Sequence, residues 1–168
     1  VADIIGGDYP YEQWAGHFYQ SLPHDRFVEI GVLAAKLGMR LNCLVCYDLE
    51  RVLRAYEAIN EQVRIVDKRW VIIHVIEATK EQIARIKALG LVATVTPTFM
   101  YMASDRFGLD KLRERGIPIR ALLDAGYREV AVADTIGVGV PAQVRALVGA
   151  IRELDPAVQV RAHFHNTR

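Results

Sequence analysis

The stretch Trp70–Pro97, WVIIHVIEATKEQIARIKALGLVATVTP, contains the unit that decides the fold. Its opening residues are almost all β-branched or aromatic, which is typical of a strand buried on both faces. Thr79 and Gln82 then form a capping-box pattern, which predicts a helix that ends at Gly90. A second apolar run follows and is stopped by Pro97. The stretch therefore predicts a strand–helix–strand unit of a parallel sheet.

The same alternation continues on both sides of this stretch. The predicted strands are Val1–Ile5, Met39–Cys46, Trp70–Ile76, Leu91–Thr96, Glu129–Ala133 and Val158–Phe164. The other predicted helices begin at Asp25, Asp48, Pro118 and Pro141, and Gly6–Pro23 is predicted to be a long loop. This order predicts an α/β protein with parallel strands and five or six β-α units. Periodicity alone allows either a doubly wound sheet or part of a (β/α)8 TIM barrel. No G-x-G-x-x-G follows the first strand, which weakens the dinucleotide-binding alternative.

The composition limits the classes of partner. The chain has 168 residues, of which 52% are hydrophobic and 24% charged, with a formal net charge of +1. Such a charge gives no long-range field that would attract nucleic acid or an anionic membrane. The N-terminus shows no signal peptide, and no apolar run approaches about 18 residues. We therefore expect a cytoplasmic protein that binds a small-molecule substrate and neither nucleic acid nor membrane.

Polar residues at the ends of the predicted strands are the candidate site. In a parallel α/β fold, the carboxyl ends of the strands face the active site. His74 lies late in its strand, Asp134 ends another, and His163 and His165 lie two apart at the end of the last strand, on one face. Two imidazoles on one face can share a divalent cation, and Asp134 could supply an oxygen ligand or a general base. Taken singly, a strand-end aspartate also fits a turn cap, and a lone histidine also fits a satisfied core residue.

Two glycines follow Asp134, at Gly137 and Gly139, just before the helix that begins at Pro141. Glycines let the backbone approach a ligand closely, and a helix N-terminus presents free N–H groups to an anion. The segment therefore predicts either a site for the phosphate or carboxylate of a cofactor or substrate, or an ordinary β-α turn.

Residues 1 to about 127 resemble the amidohydrolase superfamily, in particular the subgroup that acts on amides and related C–N bonds. The similar segments are Gly7–Tyr11, Arg26–Cys46, Asp67–Val75, Ile83–Pro97, Phe99–Gly108 and Gly116–Gly126. The resemblance implies a (β/α) barrel that uses one or two divalent metals to activate water, with His74 at a strand-end metal position. It also implies that Asp134, which ends the strand after Asp124-Ala125-Gly126, is the general base. The early H-x-H pair of that family would lie before Val1, so we expect the isolated chain to be an incomplete barrel.

From about Arg128 to Arg168 the resemblance is to hydroxymethylglutaryl-CoA lyase and its metal-dependent relatives. It lies in E-V-A-V-A-D-T-I-G-V-G-V-P of Glu129–Pro141 and in H-F-H-N-T of His163–Thr167. It implies that His163 and His165 serve a divalent cation and the proton transfers around it, with Asp134 as the acidic residue of the site. The first-strand carboxylate and the catalytic-cysteine loop of that family have no counterpart in this sequence. We expect residues 1–168 to form one partial barrel domain composed of these two parts.

The favoured hypothesis is a metal-dependent hydrolase of amide or other C–N bonds, with Zn²⁺, Mg²⁺ or Mn²⁺ as the cofactor. Asp134 and His163 are its predicted catalytic residues, and His74, His163 and His165 its predicted metal ligands. The first alternative is a divalent-metal-dependent lyase that cleaves a C–C bond in an acyl-CoA. The second is an inactive composite fragment, which would expose sheet edges and half a core and could persist as a homo-oligomer.

Overall fold

The computed structural model divides the chain into two compact units, Val1–Ala93 and Thr94–Arg168. It describes residues 2–5, 22–45, 48–75, 77–95, 119–134 and 139–164, with the backbone alone at 2–5, 133–134 and 163–164. The predicted helix start at Pro118 and the candidate residues Gly137 and His165 lie outside these ranges.

The described residues of the first unit form a four-stranded parallel sheet with three helices. In chain order it comprises β1 (Ala2–Ile5), α1 (His24–Lys36), β2 (Leu41–Leu44), α2 (Leu49–Gln62), β3 (Val71–Ile73), α3 (Lys80–Ala88) and β4 (Val92–Ala93). The spatial order is β1-β2-β3-β4, so each strand lies beside the next one in the chain. Helix α1 contacts α2, and α2 contacts α3. Because crossovers between parallel strands are right-handed, this order puts the three helices on one face of the sheet.

The sequence signals for the helix ends are mostly confirmed. Thr79 Oγ1 accepts a hydrogen bond from Gln82 N–H at 3.1 Å, and Gln82 Oε1 accepts one from Thr79 N–H at 3.0 Å, which completes the predicted capping box. Asp48 caps α2 by accepting a hydrogen bond from Arg51 N–H at 3.0 Å. At α1 the prediction of Asp25 as the N-cap is wrong, because Pro23 holds that position. Asp25 lies in the first turn, where its charge interacts favourably with the helix dipole.

The two faces of the first sheet differ in burial. Leu41, Cys43 and Ile72 are fully buried, as are the helix residues that pack with them. Asn42 and Val71, which alternate with them along β2 and β3, are only half-buried. Alternation of this kind follows from the two-residue period of a strand. The face that carries Asn42 and Val71 is therefore the one opposite the described helices.

An aromatic cluster joins α1, α2 and β3 within the core. The rings of Phe27 and Tyr56 meet edge to face, with centroids 5.5 Å apart, and the centroids of Tyr56 and Trp70 are 6.0 Å apart. The Tyr56 hydroxyl donates to Val71 O at 3.2 Å, and the Trp70 indole donates to Met39 O at 3.0 Å. Each buried polar tip thus has a backbone acceptor, which fixes β3 against α2 and against the start of β2.

A surface charge network links α2 and α3. The Arg85 guanidinium donates to both carboxylate oxygens of Glu57, at 2.7 and 2.8 Å, and to Glu50 at 2.7 Å. The hydrogen bond from Arg85 is the main cause that lowers the pKa of Glu50 to about 2. Bidentate geometry of this kind favours one relative position of the two helices.

The described residues of the second unit form a two-stranded parallel sheet and two helices. In chain order these are α4 (Ile119–Asp124), β5 (Glu129–Asp134), α5 (Pro141–Leu154) and β6 (Gln159–Phe164). One face of the sheet is apolar and packs into a core made of Leu123, Val130, Val132, Ile151 and Val158. At strand positions that alternate with these core residues, Arg161 forms an ion pair with Glu129 at 2.6 Å. Pro141 is the first helical residue of α5, as the sequence predicts.

The α/β class and the parallel pairing are confirmed. All described strand pairs are parallel. The described strands form two separate sheets and do not close into a barrel.

Candidate functional site

His74 lies at the carboxyl end of β3, directly after its last residue, Ile73. The last described backbone hydrogen bond between the β2 and β3 segments runs from Val45 N–H to Ile73 O at 2.9 Å. The His74 backbone then has a φ of +63°, a left-handed conformation that few residues other than glycine adopt. This backbone turn ends the strand earlier than the sequence predicts, since the apolar run continues to Ile76. A residue other than glycine that is held in this conformation is often found at a functional site.

The environment of His74 favours a neutral side chain. The residue is half-buried, and burial lowers the pKa of its imidazole below the usual value. The imidazole is therefore neutral at pH 7. Neutral imidazole is the form that binds a metal ion, because the cation needs the ring lone pair.

Asp134 and His163 lie on neighbouring strands at the same end of the second sheet. Asp134 is the last residue of β5 and pairs in register with Phe164, the last residue of β6. His163 pairs with Ala133 one step earlier. The candidate catalytic residues are thus diagonal neighbours across one parallel strand pair. The backbone register therefore places Asp134 one step beyond His163 along the strand pair.

The glycine segment before α5 is described at Gly139, which is exposed. The N–H of Val140 donates to Gln143 Oε1 at 3.2 Å, and Pro141 has no N–H. Gln143 N–H donates to Val140 O at 2.9 Å. The N–H groups of Val140 and Gln143 therefore have partners within the helix start.

The predicted site residues are brought together only in part. The structure places His74 at a strand end of the first unit, and Asp134 and His163 at strand ends of the second. In the ranges that the structure describes, no three His, Cys, Asp or Glu side chains gather into a metal site. The metal-ligand set and the catalytic pair stay predictions.

Sequence reasoning missed one polar position that directly follows a strand. Thr94 follows the last residue of β4 and is half-buried. The signal was present, because Thr94 interrupts the apolar run Leu91–Val95 as His74 interrupts its own. A hydroxyl there could donate to or accept from a bound substrate.

Comparison with known proteins identifies the family. The profile of the amidohydrolase family matches residues 2–152, which is most of the chain and includes β5 and nearly all of α5. The chain belongs to the amidohydrolase family.

Parts of the chain are also similar to acyl-CoA lyases. It is 39% identical over 62 residues to hydroxymethylglutaryl-CoA lyase YngG of Bacillus subtilis, covering 33% of this chain and 21% of that protein. It is 46% identical over 56 residues to (R)-citramalyl-CoA lyase of Chloroflexus aurantiacus, covering 33% of this chain and 17% of that protein. The match to the mitochondrial hydroxymethylglutaryl-CoA lyase of Arabidopsis thaliana is 37% identical over 49 residues, covering 29% of this chain and 10% of that protein. The chain thus spans about a fifth or less of the curated relatives it matches. Both resemblances seen in the sequence are confirmed.

The lengths of the described helices bear on the prediction that the chain does not bind a membrane. None of the helices in the described ranges is long and apolar enough to cross a membrane.

Proposed function

We propose that this chain forms part of a (β/α)8 barrel and acts as a metal-dependent hydrolase of amide or other C–N bonds. The observation that carries the proposal is the match to the amidohydrolase family over residues 2–152. The strand order supports the barrel, because sequential neighbours with helices on one face form a singly wound sheet. A doubly wound sheet would need the strand order to reverse.

His74, His163 and His165 are the proposed metal ligands. His74 fits this role because it lies at a strand end and its imidazole is neutral at pH 7. A bound Zn²⁺, Mg²⁺ or Mn²⁺ supplies Lewis-acid polarisation and lowers the pKa of water towards about 7. A contribution from β6 is consistent with the backbone register, because His163 is the penultimate residue of β6 and pairs with Ala133 near the end of β5.

Asp134 is the proposed general base. Its carboxylate would take a proton from the attacking water and pass it to the leaving nitrogen. His163 would assist by holding the water or the substrate in the orientation that this transfer requires. The substrate is a small molecule with a hydrolysable C–N bond.

A lyase is the second candidate, and the similarity to three acyl-CoA lyases favours it. In this alternative His163 and His165 would bind Mg²⁺ or Mn²⁺ and serve the proton transfers during C–C cleavage of an acyl-CoA, with Asp134 as the acidic residue of the site. Residues 128–168 would then contribute the reacting groups, and residues 1–127 the remaining framework.

The test is an activity comparison on the purified chain with each metal added back after chelation. Because the isolated chain is expected to be an incomplete barrel, we expect a weak, metal-dependent release of amine or ammonia from a panel of simple amides. Asp134→Asn should lower the rate by about 100-fold, within the usual range for loss of a general base. Asp124→Asn is the matched control, because Asp124 is exposed at the end of α4 and should leave the rate unchanged.

The outcomes separate the two candidates. Cleavage of an acyl-CoA with no amide hydrolysis would replace the hydrolase by the lyase. Equal rates for Asp134→Asn and Asp124→Asn would remove the general base from the proposal.

A further inference from the structure

The amino-terminal ends of strands β2, β3 and β4 carry an excess of basic side chains. The three segments at this end, residues 36–40, 61–69 and 87–91, lie entirely within the described ranges. They contain two acidic residues, Glu61 and Asp67, and six basic ones, which we call the basic rim: Lys36, Arg40, Arg64, Lys68, Arg69 and Lys87. Lys68 is half-buried, and the other five are exposed. The segments therefore present a surplus of four positive charges.

Helix dipoles explain only part of this surplus. The carboxyl end of a helix favours cations in its last turn, which accounts for Lys36 of α1 and Lys87 of α3. Arg40, Lys68 and Arg69 lie beyond the helices, in the connections that lead to β2 and β3. Because the dipole effect falls off within the last turn, it gives no reason for positive charge at these three positions.

Two arginines of the rim come side by side. The parallel register of β2 and β3, extended by two residues before its first pair, puts Arg40 opposite Arg69. A hydrogen bond from the Trp70 indole to Met39 O at 3.0 Å holds the two segments together at this point. Neighbouring strands lie about 4.8 Å apart, so two positive charges are anchored close to each other. Like charges at directly opposite strand positions repel, and an anion bound between them would remove that repulsion.

The backbone of Arg69 adds a second unfavourable feature at the same place. Its φ of +51° lies in the left-handed region, which is disfavoured for any residue with a Cβ and is usually occupied by glycine. The ion pairs formed among the described residues include neither Arg40 nor Arg69, and neither Glu61 nor Asp67. Within that part of the chain, the two arginines are therefore held together without a carboxylate to neutralise them.

The charge of the rest of the chain indicates the kind of partner. The whole chain has a formal net charge of +1, so the residues outside the three segments together carry a net charge of −3 once the surplus of four is subtracted. A duplex nucleic acid or an anionic membrane would extend beyond the rim and meet this negative remainder. The three segments also contain no aromatic residue on which a single-stranded base could stack. A short acidic segment of a protein would contact the rim alone.

We infer that the basic rim is a docking surface for an acidic segment of a partner protein, whose aspartate or glutamate carboxylates lie against Arg40 and Arg69. A guanidinium group can bind a carboxylate through two parallel hydrogen bonds, which gives such a contact both strength and orientation. His74 follows the carboxyl end of β3, whereas Arg69 precedes its amino-terminal end. Docking at the rim therefore leaves the end with His74 open, and the inference does not depend on the hydrolase proposal.

Fluorescence anisotropy with a labelled oligoglutamate peptide tests the inference on the full chain. At about 0.15 M salt, where the Debye length is about 8 Å, we expect saturable binding that weakens as the salt concentration rises. The double variant Arg40→Gln with Arg69→Gly should weaken binding by at least about tenfold, because it removes both guanidinium groups while glycine accepts the positive φ. Arg145→Gln with Arg152→Gln removes the same charge from exposed positions of α5 and is the matched control, with an expected change below about twofold.

Cross-linking of the wild type needs no variant and so guards against misfolding. A carbodiimide should couple the peptide carboxylates to Lys36, Lys68 and Lys87 of the rim, and not to exposed Lys80 at the other end of α3. Absence of binding at about 0.15 M salt, an equal loss in the α5 control, or cross-links to Lys80 as frequent as those to the rim would overturn the inference. Tighter binding to duplex DNA of the same charge, or to phosphatidylserine vesicles, would overturn the choice of an acidic protein segment as the partner.

Discussion

The backbone conformation of His74 gives a prediction that separates the effect of backbone strain from the effect of the imidazole side chain. The φ of +63° costs a residue with a side chain about 1–2 kcal/mol relative to glycine. Glycine loses about 0.5–1 kcal/mol of this advantage through its greater freedom in the unfolded chain. We therefore expect His74→Gly to have a free energy of unfolding about 1 kcal/mol larger than that of His74→Ala. Both variants lack the imidazole, so their comparison isolates the backbone.

The assay is thermal unfolding of the two variants under identical conditions. For a chain of this length 1 kcal/mol corresponds to about 2–4 °C in Tm, which is readily measured. His74→Asn should fall between them, because asparagine tolerates the left-handed region better than alanine does. If His74→Ala were as stable as His74→Gly, the left-handed turn at the end of β3 would be refuted.

The remaining predictions concern packing and charge. Gly31→Ala should destabilise the chain by about 1–3 kcal/mol, because its Cβ would lie 2.2 Å from buried Ile59 Cδ1, and urea unfolding checks this. Gly149→Ala in α5 is the matched variant, for which the opposite effect is expected. Nothing lies within 4 Å of the added Cβ, so the free energy of unfolding should rise by about 0.5–1 kcal/mol in the same assay. Arg85→Met should cost at most about 1 kcal/mol at pH 7, because the Glu50 side chain is 41% exposed and solvent screens the pair. The folded-state pKa of Glu50, about 2, lies below its usual 4.5, so this contribution is complete above pH 4.5 and declines as the pH falls towards 2. Wild type and Arg85→Met should therefore converge in stability in acid, and a constant difference would contradict the assignment.

Local signals in the sequence were sufficient for the order of elements. The capping box of Thr79 and Gln82 and the cap at Asp48 depend on neighbours within one turn, so they can be predicted from spacing. The predicted helix stop at Gly90 is confirmed by its positive φ, and Gly38 and Gly126, which follow α1 and α4, have positive φ values as well. Such features need no knowledge of the rest of the chain.

Strand length and register could not be predicted in the same way. The apolar run Trp70–Ile76 predicts a longer strand than β3, because hydrophobicity does not reveal the left-handed turn at His74. Asp134 aligns with Phe164 and not with His163. This register depends on pairing between segments about 30 residues apart. The alternation of apolar runs and helices predicts that a strand occurs and roughly where it lies. The relative shift of two strands depends on the packing of both.

Metal binding by the purified chain tests the central claim most directly. Isothermal titration with Zn²⁺ should show one equivalent bound by the wild type and at least about tenfold weaker binding by both His74→Gly and His163→Ala. The double variant should lose little more than either single variant, because ligands of one ion are strongly coupled. Failure of the wild type to bind a divalent ion, or independent and additive losses from the two histidines, would contradict a shared metal site.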